Sequence, residues 1–293
     1  MPTEADVSET PERRWLKAVN EYYDQTNFDY KKVWHSGTSL AYHFGYYADD
    51  IHEHKHALTN ANHVLARIAR IKSGDRVLDA GCGLGGSSFW LAAHRSAQVV
   101  GITPVRGHVL AAREIARRRS LDDQVSFYVA DYADTRFQKA SFDVVWALES
   151  VCHAVSKAAF YREAARLLRP GGRLVVADYI RVSRDLGADT DSMIREWLDG
   201  WSIPDIATAD EHLAASTRAG FADVHLDDYT KTTHRSLRRL YKLACLARPI
   251  DQILFGFRLR SVTQHGNVIA SLRQYQLLRK GAWFYGILSG TKQ

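Results

Sequence analysis

The chain has 293 residues, of which 46% are hydrophobic and 25% are charged. These values are typical of a folded globular protein and exclude a disordered or fibrous chain. No signal-peptide pattern and no apolar run of about 18 residues occur, so we expect a cytoplasmic protein without membrane insertion. The three widely spaced cysteines form no CxxC pair, which predicts free thiols and argues against a zinc site.

The net charge of +6 is distributed unevenly along the chain. Residues 231–293 contain 12 basic side chains and one acidic side chain. Such a segment fits a phosphorylated small molecule, a nucleic acid or an acidic membrane surface, and it also fits an ordinary solvated helix face.

The predicted elements begin with a disordered tail at 1–14 and a helical lid at 15–71, whose last helix spans 54–71. In the core, 72–182, strands alternate with helices: strands at 76–79, 98–102, 125–129, 142–147 and 172–178, and helices at 87–94, 108–118 and 157–168. The rest, 183–293, supplies a helix at 209–219, strands at 224–229 and 283–290, and helical caps at 183–204 and 234–280. This alternation predicts an α/β fold with a parallel sheet and right-handed crossovers.

A glycine-rich turn joins the first strand to its helix in the segment Val77-Leu-Asp-Ala-Gly-Cys-Gly-Leu-Gly-Gly. Gly81, Gly83 and Gly85 permit a tight turn and let a ligand lie against bare backbone, and the helix N-terminus favours a negative group. The pattern also satisfies GxGxxG, so alone it does not separate S-adenosylmethionine from a dinucleotide. The second strand ends Val100-Gly-Ile-Thr, without the acid that a dinucleotide fold uses, which disfavours a nicotinamide enzyme.

Further motifs follow in chain order: Ala130-Asp after the third strand, Phe142-Asp-Val-Val-Trp-Ala-Leu-Glu-Ser at the fourth, and Leu168-Arg-Pro-Gly-Gly before the fifth. With these motifs the chain, from about residue 20 onward, resembles the class I S-adenosylmethionine-dependent methyltransferases. The segments Gly101-Ile-Thr, Tyr42-His-Phe-Gly-Tyr-Tyr and Trp283-Phe-Tyr-Gly-Ile are similar to the tocopherol, sterol, cyclopropane-synthase-like and prenyl diphosphate methyltransferase group. The resemblance implies a Rossmann-like sheet of seven strands, an N-terminal helical lid, and a helical insertion before the last strand.

The resemblance implies S-adenosylmethionine as the cofactor, held at the sheet edge by Asp79, Gly81, Gly83, Thr103, His108 and Asp131, and Gly85 of the glycine turn is expected beside them. Tyr22 and Tyr46 are expected as lid residues whose ring faces attract the sulfonium, or else as core residues. By this resemblance, Thr103 lies near the ribose and Asp131 accepts from the adenine amino group. The family often has Gln where this chain has His108, so that contact is expected to differ. Asp79 also fits a strand-end carboxylate that caps backbone amides, and Asp131 also fits a plain turn-forming role.

Glu149 follows the fourth strand at the edge where open sheets bind ligands. Glu149-Ser resembles a pair in prenyl diphosphate methyltransferases, which implies a carboxylate that takes a proton after an alkene is methylated. Glu149 fits equally a contact to the cofactor or to neighbouring backbone. His153, one helical turn further, is the candidate base for O- or N-methylation, or else a cap or core residue.

Acceptor-binding residues are predicted among aromatic faces, which attract cations, and basic side chains, which match phosphate: Tyr23, Trp197, Trp201, Arg235, Arg238, Arg239, Lys242, Arg258, Arg260 and His265. The aromatic residues also fit packing roles in the core. The predicted function is C-methylation of an alkene carbon of a prenyl diphosphate. The alternative is O- or N-methylation of another small natural product. Mg²⁺ would accompany a diphosphate, nucleic acid is not expected as a partner, and homo-oligomerisation stays open.

Overall fold

A computed structural model of the protein describes residues 40–293. The predicted tail at 1–14, the first part of the lid, and the candidate residues Tyr22 and Tyr23 lie outside the described residues. The described part of the chain begins with an extended segment, residues 40–53, that runs into the first helix.

One mixed sheet organises the described chain, in the order β3-β2-β1-β4-β5-β7-β6. Its strands are β1 (Arg76–Ala80), β2 (Gln98–Thr103), β3 (Val125–Val129), β4 (Phe142–Leu148), β5 (Leu168–Arg181), β6 (Phe221–Asp228) and β7 (Trp283–Lys292). β7 alone of these strands runs antiparallel, between β5 and β6. This is the expected seven-stranded methyltransferase sheet with a helical insertion before its last strand.

Eight α-helices flank the sheet in the described chain: α1 (His54–Ile68), α2 (Gly86–Arg95), α3 (Arg106–Arg118), α4 (Lys157–Leu167), α5 (Ala188–Gly200), α6 (Ala209–Arg218), α7 (Thr230–Gly256) and α8 (Val262–Arg279). A 3₁₀ turn covers Val151–His153. One core cluster joins the sheet to α1, α2, α3, α5, α7 and α8, and a second joins its other face to α4 and α6. The central strands are buried on both faces, which explains their nearly continuous apolar runs.

The strand order creates the ligand-binding position of this fold. From β1 the chain moves outward through β2 and β3, and it then returns to β4 on the other side of β1. A crevice opens at the carboxyl ends of strands wherever an open sheet reverses its winding in this way. The glycine turn after β1 and the Glu149 segment after β4 therefore meet at one point.

The observed elements agree with the predicted ones to within a few residues, with two differences. β5 extends to Arg181, because antiparallel pairing with β7 continues from Arg173↔Thr291 to Arg181↔Trp283. The insertion predicted at 234–280 is a hairpin of two long helices, α7 and α8.

Candidate active site

A cleft of about 760 Å³, including the solvent at its mouth, lies at the carboxyl ends of β1, β2 and β4. This volume is in the range of small-molecule and cofactor sites. The cleft is lined by Leu40, Ala41, Tyr42, His43, Asp79, Gly81, Cys82, Gly83, Gly86, Ser87, Thr103, Pro104, Val105, His108, Tyr132, Leu148, Glu149, Ser150 and His153. Seven of the predicted site residues are among them: Asp79, Gly81, Gly83, Thr103, His108, Glu149 and His153.

The glycine turn forms a cradle that has no room for side chains. Gly81 has φ +90°, and a Cβ there would overlap the side chain of Ser150. Gly83 has φ +51°, and a Cβ there would lie 2.8 Å from Cδ2 of Tyr42. The backbone at both positions is left-handed, which favours glycine. A ligand can therefore approach this backbone closely, as the methionine part of S-adenosylmethionine would require.

Gly85 has a different role from the predicted one, since it does not line the cleft. It precedes the first residue of α2 with φ +83°, and a Cβ there would lie 2.6 Å from Cζ of Phe127. Close packing of the turn on β3 explains this glycine, and Gly86 lines the cleft instead.

Asp79 and Thr103 are buried where β1 and β2 end. The Asp79 carboxylate accepts a 2.6 Å hydrogen bond from Oγ of Ser88, which ties it to the first turn of α2. Burial raises the pKa of Asp79 to about 6, although the hydrogen bonds from Ser88 oppose this shift. Asp79 therefore both accepts hydrogen bonds at the start of α2 and lines the cleft.

Tyr42 and His108 form one wall of the cleft. Their rings stack with centroids 5.7 Å apart, and the Tyr42 ring lies against Gly83. Tyr46, predicted as a lid residue, is instead fully buried and absent from the lining. Its hydroxyl donates to the hydroxyl of Tyr285 at 3.2 Å, so Tyr46 belongs to the core behind the site.

Asp131 does not line the cleft either, because its carboxylate closes a local turn. Oδ1 of Asp131 accepts a 2.8 Å hydrogen bond from the backbone N–H of Ala133. The following residue, Tyr132, reaches the cleft, and its hydroxyl donates to the carbonyl of Ser150 at 3.0 Å.

Glu149 is held by three donors at the end of β4. Its Oε1 accepts from the backbone N–H of Phe44 at 2.7 Å and from the hydroxyl of Tyr285 at 2.8 Å. Its Oε2 accepts from the hydroxyl of Tyr179 at 2.8 Å. The residue has φ +52°, a strained conformation that is common at functional sites. Burial raises the pKa of Glu149 to about 8, although all three donors favour the ionised form.

His153 enters the cleft from the 3₁₀ turn, so the helical turn expected between Glu149 and His153 is wrong, although both residues line the cleft. Nδ1 of His153 lies 3.2 Å from the carbonyl oxygen of Ser202. A carbonyl can only accept, so a neutral ring carries its proton on Nδ1 and leaves Nε2 unprotonated. Burial lowers the pKa of His153 to about 4, which keeps the ring neutral near pH 7.

Lys157 fixes the backbone around His153. Its Nζ donates to the carbonyls of Cys152 and Ala154, which flank His153, at 2.9 Å each. It donates also to the carbonyl of Asp205 at 2.8 Å. One ammonium therefore connects the histidine turn to the segment that holds Ser202. Burial lowers the pKa of Lys157.

The predicted acceptor-binding tryptophans lie in the core and not on the cleft wall. Trp197 is buried on α5 and Trp201 is buried directly after its last residue, and the two pack against each other and against Tyr179. Trp197 also packs against Trp283, with ring centroids 5.0 Å apart. The i, i+4 spacing of the two tryptophans thus marks the face of α5 that packs on the sheet.

The predicted basic residues do not line the cleft either. Exposed side chains on the insertion account for five of them: Arg235, Arg238, Arg239, Lys242 and Arg258. The other two, Arg260 and His265, contact the buried carboxylate of Asp251 at 2.8 and 2.6 Å. In the structure, five of these side chains lie on the exposed surface of the insertion and the other two form an ion cluster with Asp251, so they do not form a phosphate-binding site at the cleft.

Within residues 40–293, no group of three or more His, Cys, Asp or Glu side chains is arranged to hold a metal ion. In the same part of the chain, no helix is both long and apolar enough to span a membrane.

The prediction missed Tyr42, His43, Tyr132 and Ser150. Tyr42, Tyr46 and Tyr47 lie close together around Gly45, in a stretch without helix or strand spacing, so the sequence held no signal for which ring faces the cleft. Tyr132 and Ser150 directly follow the predicted site residues Asp131 and Glu149. Their position just after a strand could therefore have indicated that they lie at the cleft.

Comparison with known proteins identifies the class to which this site belongs. A family model described as a methyltransferase domain matches residues 78–176. The chain is 35% identical over 195 residues to 27-O-demethylrifamycin SV methyltransferase of Amycolatopsis mediterranei (strain S699), covering 66% of this chain and 71% of that protein. It is 31% identical over 223 residues to methyltransferase GfsG of Streptomyces halstedii, covering 74% and 77%.

Tocopherol O-methyltransferase of Arabidopsis thaliana is 32% identical over 192 residues, covering 60% of this chain and 53% of that protein. Geranyl diphosphate C-methyltransferase from Streptomyces coelicolor A3(2), solved with Mg²⁺, geranyl diphosphate and S-adenosyl-L-homocysteine, has a TM-score of 0.72. It is 20% identical over 98% of this chain and 100% of that chain, which shows a shared fold. The chain belongs to the class I methyltransferases, and it is an S-adenosylmethionine-dependent methyltransferase.

Proposed function

We propose that this protein methylates a hydroxyl oxygen of a small, largely uncharged natural product, with His153 as the general base. The observation that carries the proposal is the orientation of His153 on the cleft wall. Its Nδ1 lies 3.2 Å from the carbonyl oxygen of Ser202, and its burial-lowered pKa of about 4 keeps the ring in the neutral form that a general base must have near pH 7. A positioned base with this protonation state is what O-methylation needs.

Bound S-adenosylmethionine would supply the methyl group and leave as S-adenosylhomocysteine. The cradle at Gly81 and Gly83 would hold its methionine part, because only bare backbone permits so close an approach. Thr103 would lie beside its ribose. His153 would take the hydroxyl proton as the oxygen bonds to the methyl carbon, so that no free alkoxide has to form. The main work of the remaining residues is positioning and the exclusion of water.

The character of the cleft supports an uncharged acceptor. Leu40, Leu148 and Tyr132 contribute apolar surface to the wall, whereas none of the predicted phosphate-binding arginines does. Within residues 40–293 the cleft lining includes no Lys or Arg, so this part of the chain would leave most of the desolvation cost of a bound diphosphate uncompensated. The 35% identical relative is named for methyl transfer to an oxygen, which supports the same type of acceptor atom.

Methyl-labelled S-adenosylmethionine tests the proposal when it is offered with a panel of polyketide-type alcohols and phenols, prenyl diphosphates, and the corresponding free prenols, each with and without Mg²⁺. We expect label in an alcohol or phenol. The label should be present as a methyl ether, so ether-cleaving conditions should release it. On that substrate His153→Gln should lower kcat by about 10²- to 10⁴-fold, the usual contribution of a general base. Affinity for S-adenosylhomocysteine should stay unchanged.

His94→Gln is the matched control, because Nδ1 of His94 also lies beside a carbonyl, that of Trp90 at 3.1 Å, outside the cleft. This variant should retain native kcat. If His153→Gln keeps kcat within about threefold of native on an O-methylated substrate, His153 is not the base.

C-methylation of a prenyl diphosphate is the second candidate, and Glu149 is the observation that favours it. A carboxylate on the cleft wall could accept the proton that a methylated alkene cation loses. Its pKa of about 8 leaves much of it protonated near pH 7, which weakens this role. Because no group of three or more His, Cys, Asp or Glu side chains within residues 40–293 could hold a metal ion, Mg²⁺ in this candidate would take most of its ligands from the diphosphate as far as this part of the chain is concerned. If label appears in a prenyl diphosphate and Glu149→Gln abolishes this labelling, C-methylation is established over O-methylation.

A further inference from the structure

The far end of the helical hairpin carries a concentration of exposed apolar side chains. Six residues there are each 59 to 77% exposed: Leu246, Ile250, Ile253, Phe257, Leu259 and Val262. Large contiguous apolar patches are uncommon on the surface of a soluble monomer, and they mark interaction sites. The patch lies apart from the cleft, since none of its residues lines it.

The patch follows a seam along the outer half of α7, which contains Pro249, and the seam ends at Phe257, the residue directly after the helix. Together with the half-buried Leu243, four of these residues give positions 243, 246, 250, 253 and 257, which alternate spacings of three and four. This heptad spacing is the pattern by which one helix packs against another helix.

This half of α7 extends beyond the body of the protein. The first half of the helix is anchored by buried side chains as far as Ala244, and beyond Ala244 only Asp251 is buried. Asp251 is neutralised locally by Arg260 and His265, so it stabilises the hairpin end itself. The ion cluster around Asp251 therefore stabilises the hairpin end, while the apolar side chains of the seam are exposed to solvent.

We propose that this seam is a dimer interface, in which α7 of one copy of the chain packs antiparallel against α7 of a second copy. A two-fold axis near Ile250 would place Leu246 opposite Ile253 and Leu243 opposite Phe257. The same apolar surface would then be buried on both copies, as a two-fold interface requires. Arg248 of one copy would come beside Gln252 of the other, so the pairing near the axis brings no like charges together.

The exposed area of the seam fits a weak, reversible dimer. At roughly 100 to 150 Å² each, its four exposed side chains, Leu246, Ile250, Ile253 and Phe257, supply about 500 Å² per copy, below the ~800 Å² per partner of a standard interface and within the range of transient ones. An anionic lipid surface is the competing occupant, because basic residues flank the patch. Arg248 and Arg258 are the only exposed cations in the segment 245–262, however, which is few for a polybasic membrane anchor.

Analytical ultracentrifugation of the full chain over a wide concentration range tests the proposal. We expect a dimer, and Ile250→Glu should weaken its association by about 100-fold or more, since two carboxylates would be buried together at the axis. Leu110→Glu is the matched control: Leu110 is 56% exposed on α3, and its replacement should leave association unchanged. Thermal unfolding should show that both variants remain folded.

A second measurement uses Ile250→Cys in a Cys245→Ser background, because Cys245 is also exposed. A short bis-maleimide should join two copies of Ile250→Cys and should not join two copies of a Leu110→Cys variant. A chain that stays monomeric at all concentrations overturns the proposal, and binding of that monomer to phosphatidylserine vesicles would assign the patch to lipid. A dimer that neither dissociates in Ile250→Glu nor cross-links at position 250 overturns it as well.

Discussion

Replacement of Lys157 by methionine should destabilise the protein and alter the pH dependence of the reaction. The ammonium makes three hydrogen bonds to carbonyls at 2.8 to 2.9 Å. Hydrogen bonds of a charged donor contribute about 1.5 to 3 kcal/mol each, and methionine leaves three enclosed acceptors without this donor. Part of that loss is offset because a buried charge no longer has to be desolvated. We expect a loss of roughly 3 to 5 kcal/mol in the free energy of unfolding.

Urea unfolding measures this loss, with Lys139→Met as the control, because Lys139 is exposed and should change stability by less than about 0.5 kcal/mol. The second readout is the pH profile of kcat/KM. The positive charge of Lys157 contributes to the lowered pKa of His153, although burial contributes more. Its removal should raise that pKa and shift the acid limb of the profile upward. An unfolding free energy within about 1 kcal/mol of native, or an unmoved acid limb, would refute the positioning role of Lys157.

Three further outcomes are expected. Gly83→Ala should weaken binding of S-adenosylhomocysteine by about tenfold or more, measured by calorimetry, because its Cβ would meet the ring of Tyr42 at φ +51°. Gly85→Ala should instead lower the melting temperature, since its Cβ would meet Phe127 and not the cleft; a change in ligand affinity without a change in stability would contradict this assignment. The raised pKa of Glu149, about 8, means that the folded state retains a proton which the unfolded state loses near pH 4.5. Stability should therefore fall as the pH rises from about 5 to 8, and Glu149→Gln should flatten that slope in urea titrations at several pH values.

Local pattern in the sequence was sufficient to predict the sheet and the general position of the site. Strands that are buried on both faces are continuous apolar runs, and the left-handed backbone of the glycine turn favours glycine. Because the ends of parallel strands share one edge, Asp79, Thr103 and Glu149 could be assigned to a common cleft before any contact was known.

The tertiary structure alone decided which side chains face that cleft. Tyr42 and Tyr46 are similar in sequence context, but their segment has no regular period, and only packing against Tyr285 shows that Tyr46 belongs to the core. Trp197 and Trp201 have helical i, i+4 spacing, which indicates that both are buried but does not identify the side chains they pack against.

The basic insertion demonstrates the same limit over a longer range. Its charge and helical spacing are local properties, and they describe the hairpin correctly. Whether its arginines reach the cleft depends on the direction in which α7 leaves the sheet after β6, and that direction is set by contacts between residues far apart in the chain. Tyr47 donates its backbone N–H to the carbonyl of Thr232, and Gly45 donates its backbone N–H to the hydroxyl oxygen of Ser236. Such contacts join segments about 190 residues apart, and no periodicity within either segment encodes them.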